Sequence, residues 1–397
     1  MTIDLTASPT AAAPPGFIDA RARREFLAIC IAGLFFSITQ NYSTLLAIVF
    51  QDSGHSLPQT GLLLSVFAIP TVLTALFSGA IVARLGVMGA IRMSMILTIL
   101  GLGSLAFTRE SFTLAMVSRI VQGLGVGLLL PSAMTYIQSR LTKERFVYLV
   151  SVFSTVIPLA TAVAPPIGEW TLERFGPTVM FLSGVAWCVV GLGLTFGPRP
   201  LPSAGRAGAL GLQGAFRRRV VMPVIAIITG GGLYGFVVSY LAPDMQHRGI
   251  ALAFFFIPST IALVLSRMGA MRRLQVVPPR YLVASGLVVC AIGLGCAAYA
   301  NAAPMAMVAG FLLGAGNSVL FPVVSAWVSQ GLAPAERAGP QAITSCAFYL
   351  GIYATPLAQT FIVQAWGYHA TEVVLAVIGL AVAALLAVPR ARMAGQG

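Results

Sequence analysis

The chain has 397 residues, 58% of them hydrophobic and only 9% charged. A soluble chain carries roughly a quarter charged residues, and the apolar residues here come in runs of about 20, enough to cross a hydrocarbon core about 30 Å thick. The composition therefore excludes a soluble globular protein. The net charge of +13 suits either nucleic acid or a membrane surface, and its placement decides between them.

In chain order, residues 1–20 are polar, with Pro and Ala, and read as a disordered cytoplasmic tail. Arg21, Arg23 and Arg24 follow, and the first apolar run is too long for a signal peptide. Hydropathy predicts an all-α integral membrane protein with twelve spans, near 26–50, 60–83, 90–108, 112–138, 147–170, 178–197, 220–242, 250–271, 281–300, 304–329, 340–364 and 371–389. A Pro-, Gly- and Arg-rich stretch at 198–219 separates an N-terminal six-helix bundle (21–197) from a C-terminal one (220–390), and 391–397 is a tail.

Of the 24 Lys and Arg residues, Arg109, Arg174 and Arg248 fall in loops on one side and Arg119 lies inside span 4. All the others lie on the side of the termini, among them Arg84, Arg92, Arg140, Lys143, Arg145, Arg217 and Arg390. That asymmetry places both termini in the cytoplasm and explains the charge by topology and anionic lipid, without nucleic acid. The five cysteines lie in apolar runs with no metal-ligand spacing and read as packing residues.

The two halves repeat. At an offset of 191 residues Gly123 meets Gly314, Gly125 meets Gly316, Pro131 meets Pro322 and Gly176 meets Gly367. FAIPT (67–71) pairs with FFIPS (255–259). Duplicated bundles of this kind commonly enclose a solute site at their interface. Gly310 holds the place of Arg119 in the second half.

Three segments carry a family signature. RIVQGLG (119–125) in span 4 has an Arg followed by Gln122 and Gly123, with Gly125 beyond. ATAVAPPIG (160–168) in span 5 keeps Pro165 and Gly168 of a G-x-x-x-G-P-x-x-G pattern, with Ala160 and Ala164 for its first two glycines. GAIVARLG (79–86) keeps Gly79, Arg84 and Gly86 of G-x-x-x-D-R-x-G, with Ala83 in place of the Asp. Across residues 21–390 the chain resembles the major facilitator superfamily of secondary transporters, in particular its 12-span drug and metabolite efflux antiporters. The resemblance implies that Arg119 is tied to coupling, that the span-5 motif goes with export, and that spans 1, 4, 5, 7, 8, 10 and 11 line the cavity.

A guanidinium does not deprotonate in a span, so Arg119 should face a cavity or a partner. The alternatives to a switch or anion-binding role are snorkelling to the outer headgroups or bonding to the carbonyls of a broken neighbouring helix. Gln122 and Gly123 share its helix face. None of the 11 Asp and Glu residues sits centrally in a span. Proton-coupled carriers commonly use a buried carboxylate, and the nearest substitutes are Glu169 and Asp52, at the outer helix ends. Candidate solute contacts are Gln40, Asn41, Tyr42, Thr44, Tyr234, Phe255, Asn317, Phe321, Tyr349 and Tyr353, a neutral polar and aromatic set suited to an amphipathic solute.

These features predict a monomeric, cofactor-free carrier in the bacterial inner membrane, an exporter of a small amphipathic solute by proton antiport. The alternative is an organic-anion importer or exchanger with Arg119 as the anion-binding charge. A membrane enzyme finds no support, since no Ser or Cys has an evident His/Asp partner and no metal cluster is visible; a non-transporting receptor stays open.

Overall fold

The structure, a computed structural model, describes residues 19–138, 146–200, 218–273, 276–330 and 338–388. The expected tails before 19 and after 390, most of the 198–219 linker, and Arg140, Lys143, Arg145 and Arg217 lie outside them. Every regular element among the described residues is helical. They are α1 (Ala20–Asn41), a 3-10 turn (Tyr42–Leu45), α2 (Leu46–Asp52), α3 (Leu57–Ser65), α4 (Ala68–Thr108), α5 (Phe112–Gln138), α6 (Phe146–Leu194), α7 (Arg218–Ser239), α8 (Leu241–His247), α9 (Ala253–Arg273), α10 (Pro279–Ala298), α11 (Ala303–Val328) and α12 (Ala338–Ala387).

Helices α4, α6 and α12 have 41, 49 and 50 residues, about twice a membrane crossing at 1.5 Å per residue. Each is two spans joined at a single glycine. Gly86, Gly176 and Gly367 have φ of 70°, 81° and 81°, in a region that L side chains disfavour. An added Cβ would meet nothing within 4 Å at any of the three, so the backbone rather than crowding demands glycine. Dividing there gives twelve transmembrane spans. Span 1 runs from α1 to α2. Spans 2 and 3 are α3–α4 divided at Gly86, and span 4 is α5. Spans 5 and 6 are α6 divided at Gly176. Spans 7 to 10 are α7, α9, α10 and α11, with α8 as a cap on span 7. Spans 11 and 12 are α12 divided at Gly367. This is an all-α integral membrane fold of two pseudo-symmetric six-helix bundles.

Within the first half α1 packs on α6 and α4 on α5; within the second, α7 packs on α12 and α11 on both α9 and α10. In hydrocarbon, close packing rather than apolar burial holds helices together, and small residues permit it. The two halves use the same glycines for it. A Cβ on Gly123 would lie 2.8 Å from the Phe67 carbonyl oxygen, and one on Gly314 1.9 Å from that of Ser259. A Cβ on Gly125 would lie 2.6 Å from the Ser94 oxygen, and one on Gly316 2.5 Å from that of Gly286. In each half, then, span 4 or span 10 lies backbone against backbone on spans 2 and 3 or 8 and 9. The repeat read from sequence is a repeat of contacts.

The halves meet along α6 with α9 and along α3 and α4 with α12, and α2 reaches α8. At the end that carries loops 53–56, 109–111 and 248–252 they close on one another. There both oxygens of Glu169 accept the Leu252 N–H (3.0 and 3.3 Å). Tyr368 faces Gln51, and a Cβ on Gly61 would overlap the Thr360 side chain at 1.8 Å. Nearer the middle, Ser65 Oγ donates to the Ala354 carbonyl (3.5 Å) and Thr260 Oγ1 to that of Pro158 (3.1 Å). We call this the sealed end.

Gly367→Ala should destabilise by about 1–2 kcal/mol through backbone strain alone. Gly295→Ala, in α10 with ordinary helical φ and nothing within 4 Å of the new methyl, should be neutral or stabilising by about 0.5–1 kcal/mol. Thermal unfolding midpoints in detergent check the pair, and they should move in opposite directions.

Candidate solute path and coupling residues

Span 2 is interrupted. Helix α3 ends at Ser65, with Val66 as its C-cap, and α4 begins at Ala68. The last four carbonyls of a helix have no partner in their own helix and present the negative end of its dipole. Arg119 takes two of them. Its Nε donates to the Leu63 oxygen (3.2 Å) and its Nη2 to that of Leu64 (3.4 Å). Nη1 donates to Gln122 Oε1 (2.5 Å), one turn along span 4. The guanidinium carbon lies 4.4 Å over the Phe67 ring, within cation–π range. Arg119 is 2% exposed and Gln122 fully buried. The partners of this buried charge are thus carbonyls, an amide and a ring.

The path continues toward the other half. Gln122 Nε2 donates to Gln40 Oε1 on span 1 (3.2 Å), and Gln40 lies beside the Tyr353 hydroxyl on span 11. Phe67 also touches Tyr353 edge-on, with ring centroids 4.7 Å apart. Tyr353 stacks on Tyr349 at 6.3 Å, and an aromatic chain runs on through Phe348 to Phe321, those two rings 5.2 Å apart. Tyr234 on span 7 is hydrogen-bonded to Thr161 on span 5. Gln40, Tyr234, Asn317, Phe321, Tyr349 and Tyr353 are all half-buried, and Gln40, Tyr234 and Tyr353 face partners across the seam between halves. They offer amide, hydroxyl and ring surface with no carboxylate among them.

The other expected contacts lie elsewhere. Asn41 is half-buried and donates to the Ser37 carbonyl of its own helix (2.7 Å). Tyr42 is fully buried between Gly168 and Gly184, its hydroxyl near Ser183 Oγ (3.4 Å). Thr44 and Phe255 are buried, Phe255 against Phe256. Asp52 stands exposed at the end of α2. The hydrogen bonds of Arg119 go to Leu63, Leu64 and Gln122, and those of Glu169 to Leu252, so the structure does not bring the two expected acids onto the arginine. Among the motif residues, Pro165 is buried, Gly168 admits Leu45 and Tyr42, and Gly79 and Arg84 are exposed before the turn at Gly86. Arg92 donates to the Thr195 carbonyl (2.9 Å) and lies over Phe196, which ties span 3 to the end of span 6.

One group escaped the sequence reading. Arg248 Nη2 lies 2.9 Å from Asp244 Oδ2 and 3.2 Å from Glu372 Oε2, while Nη1 caps span 9 through the carbonyls of Ala297, Ala298 and Ala300. Read singly, Asp244 belonged to a loop and Glu372 to a helix end; the structure buries both. The i, i+4 spacing of Asp244 and Arg248 was the available signal.

The family profile described as Major Facilitator Superfamily matches residues 26–274 and 249–395. No curated protein sequence matches significantly. Among solved structures, a point mutant of the nucleoside transporter NupG is similar at a TM-score of 0.78 and 13% identity, covering 91% of this chain and 98% of that one. A D-xylose-proton symporter is similar at 0.74 and 17%, with 92% and 97% covered. The human organic anion transporter MFSD10 is similar at 0.69 and 16%, with 94% and 100% covered. At these identities the likeness is one of fold.

Arg119→Leu would leave two carbonyls and the Gln122 oxygen buried without a donor, at about 1–3 kcal/mol for each group, and should lower both folded yield and unfolding midpoint. Gln40→Leu keeps Arg119 held but cuts the path to Tyr353. It should fold with a near-normal midpoint and lose solute binding or flux by about tenfold, the size of one lost polar link. Thermal melts beside flux measurements separate the two variants.

Proposed function

The chain belongs to the major facilitator superfamily, and on that premise we propose that this multi-pass membrane transporter exports a small amphipathic solute across the bacterial inner membrane by proton antiport, as a monomer with both termini in the cytoplasm. The observation that carries the reading is the polar path from Arg119 through Gln122 and Gln40 to Tyr353. It starts in the span-4 motif, crosses the seam between the halves and ends on an aromatic surface without charge. The span-5 segment 160–168 supports export.

With the termini inside, the sealed end is the outer one, and the structure corresponds to a carrier closed to the outside. Alternating access then requires the contacts at Glu169, Gln51 and Gly61 to part while the midplane path rearranges. The fold neighbours include a nucleoside transporter, a proton symporter and an organic anion transporter, so direction and solute class rest on this chain's own residues. The burial of Arg119 favours the amphipathic solute over an organic anion. Three of its five N–H groups are engaged by Leu63, Leu64 and Gln122, so an anion would compete with partners already in place.

Proteoliposomes with a panel of nucleosides, pentoses, organic anions and lipophilic cations test the reading. We expect uphill movement of one amphipathic class on a pH step; flux indifferent to the step removes proton antiport, and flux of anions alone favours the second reading. In the same vesicles Glu169→Gln should weaken the outer contact by about 1 kcal/mol, a shift of roughly fivefold toward the open form. Faster labelling of Ser65→Cys by an impermeant thiol reagent would register it.

A further inference from the structure

The polar path leaves the carboxylates of the second half unused. Asp244 and Glu372 are 3% and 0% exposed, and both lie on the one guanidinium of Arg248. That guanidinium is also fixed by the span-9 carbonyls, so it cannot swing away with either acid. Glu372 Oε1 is buried and has no hydrogen-bond partner among the described residues. The remaining ionisable groups facing the pair are His247 on α8, Tyr240 before it, and Tyr368 and His369 on span 12. His369 Nδ1 contacts the Ala298 carbonyl (2.8 Å), and its ring meets Tyr299 at the end of span 9. Both histidines are accessible to solvent.

Two carboxylates and one guanidinium leave one buried negative charge. Carboxylates that share a site do not both ionise readily, and an uncompensated buried charge is costly. Burial pushes the Asp244 carboxyl above the usual carboxylate range, against the lowering pull of Arg248. Asp244 Oδ2 and Glu372 Oε1 both lack a hydrogen-bond partner among the described residues. Asp244 Oδ2 lies 2.9 Å from the guanidinium, which leaves Glu372 Oε1 as the more open acceptor. We propose that Asp244 and Glu372 on Arg248 form a proton-binding site, which holds one proton on Glu372 while the outer end is sealed and releases it when that end opens to water. Tyr368, four residues before Glu372, faces Gln51 across the seam, and α8 beside it packs on α2. Parting the halves there hydrates the pair, and water stabilises the second charge. By linkage, the proton in turn favours the sealed form.

The use of this site in coupling rests on the antiport reading; the binding of the proton does not. Infrared difference spectra of the purified, solute-free protein at neutral pH should show a protonated-carboxyl band that disappears in Glu372→Gln. Asp244→Asn serves if that variant folds poorly. It leaves Glu372 alone with Arg248 and ionised, and should remove the same band. Spectra unchanged in either variant overturn the proposal, as does loss of the wild-type band on adding sodium at fixed pH, which would mark a cation site. Spin labels at Ser111→Cys and Gln246→Cys, with the native cysteines replaced, should move apart as pH rises in the wild type and stay close in Glu372→Gln. A distance independent of pH overturns the link to opening. A protein with the band but no coupled flux retires the antiport reading alone; coupled flux without the band retires this one.

Discussion

A guanidinium inside a membrane needs partners, and Arg119 finds two of them in the end of a helix. The carbonyls of Leu63 and Leu64 exist as acceptors only because span 2 stops at Val66–Phe67. The break and the charge explain each other: the helix end would be orphaned in hydrocarbon without Arg119, and Arg119 would be intolerable there without the helix end. Phe67, inside the break, then touches the cation on one side and Tyr353 of the other half on another. A local defect in one helix thus reaches the seam along which the two halves must move.

The second half shows what the fold does without the charge. At the matching position Gly310 has no side chain, and a Cβ there would lie 2.2 Å from the Phe255 carbonyl oxygen. Span 10 touches span 8 directly, where span 4 places a guanidinium against span 2. Two copies of one contact plan have diverged at one residue. The half with arginine gained a polar route to the centre, and the half with glycine kept a tight apolar joint. The buried acids of the second half lie away from that joint, on Arg248.

The architecture was legible in the sequence because length and hydropathy set it. Twelve apolar runs and the offset of 191 between paired glycines reappear in the fold, and the gaps after 83, 170 and 364 hold the turns at Gly86, Gly176 and Gly367. The carbonyls of a broken neighbouring helix were one of the alternatives the sequence left open for Arg119. The sequence could not choose among them, since backbone carbonyls leave no mark in composition. The run Gln40-Asn41-Tyr42 divides between two faces for a geometric reason. Successive helical residues turn by about 100°, so when Gln40 faces the seam, Tyr42 faces its own half and packs between Gly168 and Gly184. Asp244 and Glu372 were separated by 128 positions of sequence, and only the fold brings both acids to one guanidinium.

Gly61 adds a constraint on how the molecule works. The seam between spans 2 and 11 has no slack there: a single methyl group would occupy the space of the Thr360 side chain. Thr360 is itself held by the Tyr240 hydroxyl and its own helix, so it has nowhere to retreat. Shape alone therefore sets the width of the gap through which the two bundles must come together. A residue one carbon larger would act as a doorstop, holding the two bundles apart at the sealed end.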